Sequence, residues 1–378
     1  MPHTRKRIIF IVGARPNFMK VAPVIEAMKR IAPYAFETLL VHTGQHYDTN
    51  MSDVFFRDLE MPRPDIFLGA GSGTHAEQTA RVMIAMESLL AEEKSDLILV
   101  PGDVNSTLAT TIVAAKAGRT LGHIESGLRS FDRSMPEEIN RIVTDEFSQF
   151  CFVTEPSGLE NLKHEGIADE RVFYVGNTMI DSLYRYLDLA RARFPVLSNQ
   201  LAITNHEYAL VTLHRPSNVD DPRSLTMFVE LFEAMRSFAP TNGHARIVFP
   251  IHPRTRKMLA EYDLLSRVQA NDQLVLIDPV GYLDFVALQA HARVVLTDSG
   301  GIQEETTALG VPCITLRENT ERPVTVSVGT NELVGVDPLQ ILEYARKAFE
   351  GKWKTAAVPE LWDGHASDRI VRVLMEVL

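Results

Sequence analysis

The sequence predicts an α/β protein of two doubly wound domains, and three observations carry that expectation. Short runs that are apolar almost end to end, rather than alternating, recur along the chain, as strands buried on both faces of a parallel sheet require. Longer stretches with apolar residues at helical spacing separate them, so strand and helix alternate throughout. The length, 378 residues, makes two domains rather than one at roughly 100–200 residues per domain.

The runs of the first half are Arg7–Val12, Glu37–His42, Leu97–Val100, Thr120–Ile124, Gln149–Val153 and Val172–Gly176. Val21-Ala22-x-Val24-Ile25-x-x-Met28 illustrates the helical pattern between the first two. A helix from Thr178 to about Arg193 is expected to give way to the irregular Phe194-Pro195-Val196-Leu197-Ser198, which places the domain boundary near Ala190–Glu207. The second half supplies Tyr208–Leu213, Arg246–Pro250, Gln273–Ile277, Arg293–Thr297 and Pro312–Leu316. In the segment Ser367–Leu378, the residues Ile370, Val371, Leu374, Val377 and Leu378 share one helical face. A helix over 365–378 is therefore expected to cross back onto the first domain. The expected domains are residues 1–190 with that helix, and residues 200–360. In open α/β sheets ligands bind beyond the carboxyl ends of the strands. With two such domains, a cleft between them is the expected site.

Composition removes several function classes. Hydrophobic residues are 45% and charged residues 23% of the chain, as in ordinary globular proteins. The formal net charge of −11 and the absence of a basic block argue against nucleic acid or an anionic membrane surface as partner. No apolar run approaches the ~20 residues of a membrane span. The run Ile8–Val12 is too short for the core of a signal peptide and lacks a following cleavage site. Cys151 and Cys313 make neither a disulfide framework nor a metal spacing. A cytoplasmic location is the expectation.

The strand ends carry the chemistry. Gly13-Ala14-Arg15-Pro16-Asn17 follows the first strand, with Lys20 one turn into the helix. It reads either as a plain strand-to-helix turn or as an anion site at a helix N-terminus. The dinucleotide fingerprint and the P-loop are both absent, which removes most support for a dehydrogenase or a kinase. In the second domain Thr297-Asp298-Ser299-Gly300-Gly301 opens a helix that continues Ile302-Gln303-Glu304-Glu305. Two glycines and a serine there suit a diphosphate, and one of the glutamates, expected in the first turn, suits ribose hydroxyls. A capped helix with acidic residues favouring its dipole is the bland alternative. Asp103 follows one first-domain strand, Glu125 ends the next, and Glu137 and Glu138 open the helix after it. Three carboxylates converging on one crevice would raise one another's pKa and supply a general base and a general acid. His214, Arg215 and His252 stand at strand ends of the second domain, where they read as anion contacts. His42 and His46 lack a third ligand, so no metal is expected.

Set in order, these pieces resemble one known family. Gly13-Ala14-Arg15-Pro16, His42-Thr43-Gly44-Gln45-His46, Gly102-Asp103, Gly122-His123-Ile124-Glu125-Ser126-Gly127-Leu128-Arg129 and Pro136-Glu137-Glu138-Ile139-Asn140-Arg141 match in the first half. Gly176-Asn177-Thr178, His214-Arg215, Asp298 through Glu305 and Thr320-Glu321-Arg322-Pro323 match in the second. The chain resembles the bacterial non-hydrolysing UDP-N-acetylglucosamine 2-epimerases. That resemblance implies two Rossmann-like domains of the glycosyltransferase B type, an interdomain cleft, a homodimer, and interconversion of UDP-GlcNAc with UDP-ManNAc without NAD or metal. It implies Asp103, Glu125, Glu137 and His214 as the catalytic set. Arg15, Lys20, Arg215, His252, Phe285, Ser299, Gly300, Gly301, Glu305 and Arg322 are implied as substrate and UDP contacts, Glu305 at the ribose. The role implied is a supply of surface-polysaccharide precursor.

Two positions depart from the pattern. His214-Arg215-Pro216-Ser217 replaces a His-Arg-Arg-Glu found in some relatives, and Asp48 stands where several carry a Gln. The second change, with no Arg in Gly69-Ala70-Gly71-Ser72-Gly73, predicts a weakened activator site in which Gln45 and His252 survive. Three other readings use the same residues: a hydrolysing 2-epimerase releasing ManNAc and UDP, a glycosyltransferase, and a non-catalytic sugar-nucleotide sensor. A glycosyltransferase does not need three acids at the first domain's strand ends, and a sensor could lose them.

Overall fold

A computed structural model describes residues 5–44, 59, 61–235 and 246–378. The chain divides into two compact units, Met1–Arg185 with Glu360–Leu378, and Tyr186–Pro359.

The first unit holds a seven-stranded sheet: β1 (Lys6–Val12), β2 (Phe36–His42), β3 (Ile66–Phe67), β4 (Leu97–Pro101), β5 (Leu121–Ser126), β6 (Phe150–Val153) and β7 (Val172–Tyr174). The second holds six strands: β8 (Tyr208–Thr212), β9 (Arg246–Pro250), β10 (Leu274–Ile277), β11 (Val294–Thr297), β12 (Cys313–Thr315) and β13 (Asn331–Leu333). Every pairing is parallel. The orders are β3-β2-β1-β4-β5-β6-β7 and β10-β9-β8-β11-β12-β13. Each sheet therefore reverses winding once, between β1 and β4 and between β8 and β11, and the crevice at such a point is where doubly wound sheets take ligands.

The central strands are buried on both faces, as their unbroken apolar runs demand. Ile9, Ile11, Ile98, Val100 and Leu121 pack with Val82 and Met86 in the first unit. Ala209, Val211, Ile247, Phe249, Val294 and Leu296 pack with Phe228 and Phe232 in the second. The sequence missed β3 and β13. Both are edge strands of two or three residues, too short to show a period.

The expected break after Arg193 does not occur. The helix Thr178–Leu201 runs through Pro195. Proline removes one helical N–H, but Phe194 and Leu197 on that stretch are buried, and Phe194 stacks on His291 at 3.8 Å. Packing overrides the local signal. The C-terminal helix Ala366–Val377 belongs to the first unit. Ile370, Val371 and Leu374 are buried, whereas Val377, expected on the same face, is 41% exposed. Its N-terminus is fixed by Asp181, whose carboxylate accepts the N–H groups of Ala366 (3.1 Å) and Ser367 (2.7 Å).

Candidate active site

At the switch point of the first unit, the turn after β1 is folded back on itself. Asn17 Oδ1 accepts the N–H groups of Gly13 and Ala14, each at 3.0 Å, and its Nδ2 donates to the Pro101 carbonyl on β4. Two N–H groups expected to face an anion are thus already satisfied. Arg15, the first residue of the helix Arg15–Ile31, is exposed. Lys20, expected beside it as an anion contact, is instead buried and ion-paired with Glu125.

Glu125 sits in β5, whose pairing with β6 shifts register between Ile124 and Ser126. It takes φ +78°, a left-handed conformation that side chains adopt at a cost of order 1–3 kcal/mol and that clusters at functional sites. Gly102, between β4 and Asp103, has φ +62°, and a Cβ there would lie 2.8 Å from Lys20 Nζ and 3.2 Å from Glu125 Oε2. Only glycine lets the turn pass so close to that pair.

Asp103 does not cap the next helix, which starts at Asn105. Its carboxylate is ion-paired with Arg141, and its backbone carbonyl accepts from Asn140 Nδ2 at 2.8 Å. Glu138 is buried, pairs with Arg141 at 2.9 Å and accepts from the Ser130 N–H (2.9 Å), the Ser130 hydroxyl (3.0 Å) and the Phe131 N–H (2.9 Å). Glu137, in the first turn of the helix Pro136–Phe147, is half-buried. The expectation that the acids raise one another's pKa meets a different arrangement. Asp103 and Glu125 each face a cation, Arg141 and Lys20. Neither cation was assigned that role in the sequence. The three-residue spacing of Glu138 and Arg141 on one helix face was a readable signal for one contact. The Lys20–Glu125 pair spans 105 positions and had none.

The switch point of the second unit is built around Asp298. Fully buried, it accepts the backbone N–H groups of His214 and Arg215, both at 2.9 Å, and Asn218 Nδ2 at 3.2 Å. His214 Nδ1 lies 2.8 Å from Asp298 Oδ1. Burial pushes the Asp298 carboxyl upward, but His214 and these N–H donors outweigh it and hold it below the usual range. Asp298 thus fixes the imidazole of His214, whose side chain stays 42% exposed. Sequence reading placed Asp298 in the phosphate motif and missed this role, because the pair is 84 positions apart.

Ser299 occupies the N-cap of the helix Gly300–Leu309 and makes no capping bond with its side chain. A Cβ on Gly300 would lie 2.7 Å from Arg322 Nη1, so this glycine lets the guanidinium lie over the helix start. Arg322 is ion-paired with Glu304 at 2.7 Å. Glu304 and Glu305 lie past the first turn, which holds no acid. Glu305, expected at a ribose, is buried and accepts from Gln289 Nε2 at 2.7 Å. Burial pushes it up to about 7 despite that bond. His252 caps the helix Pro253–Glu261, its Nδ1 accepting the Arg254 N–H at 3.2 Å, and its ring lies 5.8 Å from that of His214. Burial, with His214 as neighbour, lowers its pKa. His214, His252, Phe285, Thr212, Pro250 and Val280 line a pocket of about 170 Å³ within this unit.

Among the described residues no three His, Cys, Asp or Glu side chains form a metal-binding group. His42 accepts the Gly44 N–H at 2.8 Å, and burial lowers its pKa to about 4; His46, Gln45 and Asp48 lie outside the described residues. The loop Gly69–Gly73 carries no Arg, yet Arg81 lies across it and donates to the carbonyls of Ala70 (2.7 Å) and Ser72 (2.8 Å). No described helix is long and apolar enough to cross a membrane.

The family model for UDP-N-acetylglucosamine 2-epimerase matches residues 29–375. A UDP-N-acetylglucosamine 2-epimerase of Methanocaldococcus jannaschii is 41% identical, covering 97% of this chain and 98% of that one. A UDP-2,3-diacetamido-2,3-dideoxy-D-glucuronate 2-epimerase of Pseudomonas aeruginosa is 40% identical over 98% of this chain and 100% of its own. The crystal structure of the M. jannaschii UDP-GlcNAc 2-epimerase in complex with UDP-GlcNAc and UDP superposes with a TM-score of 0.87 at 40% identity, covering 98% and 99% of the two chains.

Proposed function

Because the chain belongs to the UDP-N-acetylglucosamine 2-epimerase family, we propose that it interconverts UDP-GlcNAc and UDP-ManNAc by eliminating and re-adding UDP. A carboxylate takes the proton from C2 while the C1–oxygen bond breaks and its electron pair leaves with UDP. The intermediate is 2-acetamidoglucal. A proton then returns to C2 on the opposite face and UDP re-adds at C1. C2 is a weak carbon acid, so the departing diphosphate must be stabilised as its charge develops.

Asp103 and Glu125 are the acid–base pair, with Glu137 as the third carboxylate of the set. They stand at adjacent strand ends of one switch point, each set against its own cation, and Glu125 is held at φ +78°. That concentration of strain and paired charge at the ligand end of a sheet is the observation that carries the assignment. His214, oriented by Asp298, serves the leaving diphosphate, with Arg15, Arg215, Ser299, Gly300 and Gly301 as anion contacts and Arg322 held beside them. His252 and Phe285 line the pocket next to His214. The enzyme works as a cytoplasmic homodimer that supplies surface-polysaccharide precursor.

NMR of the products formed from UDP-GlcNAc tests this. UDP-ManNAc as the product supports it, and free ManNAc with UDP indicates the hydrolysing reaction instead. The near-equal identity to the P. aeruginosa diacetamido-glucuronate epimerase favours one second reading, a UDP-2,3-diacetamido-uronate as substrate. Inertness toward UDP-GlcNAc with turnover of that sugar nucleotide would establish it.

A further inference from the structure

His123 lies on β5, two residues before Glu125, and is fully buried. Its Nε2 is 2.8 Å from the Gly102 carbonyl oxygen and its Nδ1 is 2.6 Å from Asp145 Oδ1. A carbonyl only accepts hydrogen bonds, and so does an ionised carboxylate, whereas a neutral imidazole has one donor nitrogen and one acceptor. Asp145, also fully buried, has its other oxygen engaged by the Gly127 N–H at 3.0 Å and by Arg129 at 2.8 Å. Arg129, which also pairs with Glu165 at 2.6 Å, cannot lose its charge, so the carboxylate opposite it stays ionised. Both imidazole nitrogens must then carry hydrogen. With His123 and Arg129 positive and Asp145 and Glu165 negative, the cluster is neutral, as burial favours. Burial pushes Asp145 upward, and His123 and Arg129 more than reverse it.

We propose that His123 is a positioning residue, a buried imidazolium that ties Asp145 to the Gly102 carbonyl and so fixes where the Asp103 carboxylate stands. The anchor is shared. Asp145 belongs to the helix that carries Glu137 and Arg141, and it also holds Gly127, two residues beyond Glu125. Gly102 is the turn against which Lys20 and Glu125 pack. One carboxylate thereby sets the spacing of three elements that bear the proposed acid–base groups. The inference rests on the reading of Asp103 and Glu125 given above.

Two measurements test it. Long-range proton–nitrogen spectra of the wild-type enzyme with ring-labelled histidine are recorded under the conditions of the kinetic assay. The His123 signal is identified by its loss in His123→Gln. Both ring nitrogens should carry hydrogen, and a singly protonated ring overturns the proposal. In folded His123→Gln, kcat for UDP-GlcNAc should fall about 10²-fold with KM changed less than about threefold, as displacement of a catalytic group by an ångström does. Asp145→Asn should show the same split, and if His123→Gln does not fold it identifies the His123 signal as the one that shifts when the Nδ1 partner is changed. Unchanged kcat, or a loss through KM alone, overturns the proposal. A wild-type enzyme that does not epimerise UDP-GlcNAc brings down the functional reading instead, so the two failures are distinguishable.

Discussion

The two units share a 3-2-1-4-5-6 strand order, to which the first adds a seventh strand, and differ in what they place at its switch point. In the first, carboxylates are set against cations: Glu125 against Lys20, Asp103 and Glu138 against Arg141. In the second, one buried carboxylate, Asp298, orients a half-exposed histidine beside a helix N-terminus that opens with Ser299, Gly300 and Gly301. Topology fixes where a ligand binds, and the residues at the strand ends fix what happens to it. On the proposed reading, the first unit moves protons and the second holds an anion as it forms.

The sharpest way to break this division is to remove charge from the first unit alone. Asp103→Asn, Glu125→Gln and Glu137→Gln should each lower kcat by about 10²–10⁴, the worth of an acid–base group, while UDP affinity changes far less. Steady-state kinetics alongside UDP titration separate the two quantities. Near wild-type turnover in all three variants would remove proton transfer from this unit.

The next effect sharpens the picture of the second unit. Glu305 is raised from 4.5 to about 7 by burial, so its folded form holds a proton that the unfolded chain releases. Stability should fall as pH rises from about 4.5 to about 7 and stay lower above that. The penalty amounts to about 3 kcal/mol at most. Glu305→Gln should therefore raise Tm above pH 7 and leave it unchanged near pH 4.5, as thermal melts at the two pH values would show. A Tm gain that is equal at both would mean that ionisation of Glu305 is not the cause.

Ser299→Ala should weaken UDP by roughly 0.5–3 kcal/mol, the range spanned by hydrogen bonds to neutral and to charged groups, with the C2 chemistry of bound substrate left intact. Calorimetric titration of UDP reads the loss. An effect on kcat without one on binding would mean that the second unit does more than hold the anion.

The fold was legible because parallel strands buried on both faces advertise themselves as unbroken apolar runs, and the strand ends supplied the candidate site motifs. What escaped were features decided by tertiary contact. Pro195 reads as a stop, yet Phe194 and Leu197 carry the helix through it by packing. Lys20 reads as an anion contact beside Arg15, yet it spans 105 positions to reach Glu125. Asp298 reads as part of a phosphate loop, and only its contact with His214 reveals it as an orienting group. Acids gathered at neighbouring strand ends read as a like-charge cluster, because sequence does not show which cation folds against which acid.

The smallest effect concerns regulation. Asp48 stands in the sequence where several members of the family carry a glutamine, and no Arg lies within Gly69–Gly73, changes expected to disfavour a second, anionic sugar nucleotide. Arg81 is engaged with the loop's own carbonyls. UDP-ManNAc freed of its epimer should be converted without a lag, and UDP-GlcNAc kinetics should be hyperbolic. A lag abolished by trace UDP-GlcNAc would show an operating activator site.

The division of labour is tested most directly by turnover in deuterated water. If carboxylates of the first unit remove the C2 proton while the second unit holds departing UDP, both UDP-GlcNAc and UDP-ManNAc acquire deuterium at C2, visible as loss of that proton signal. Retention of protium at C2 over many turnovers would contradict the account.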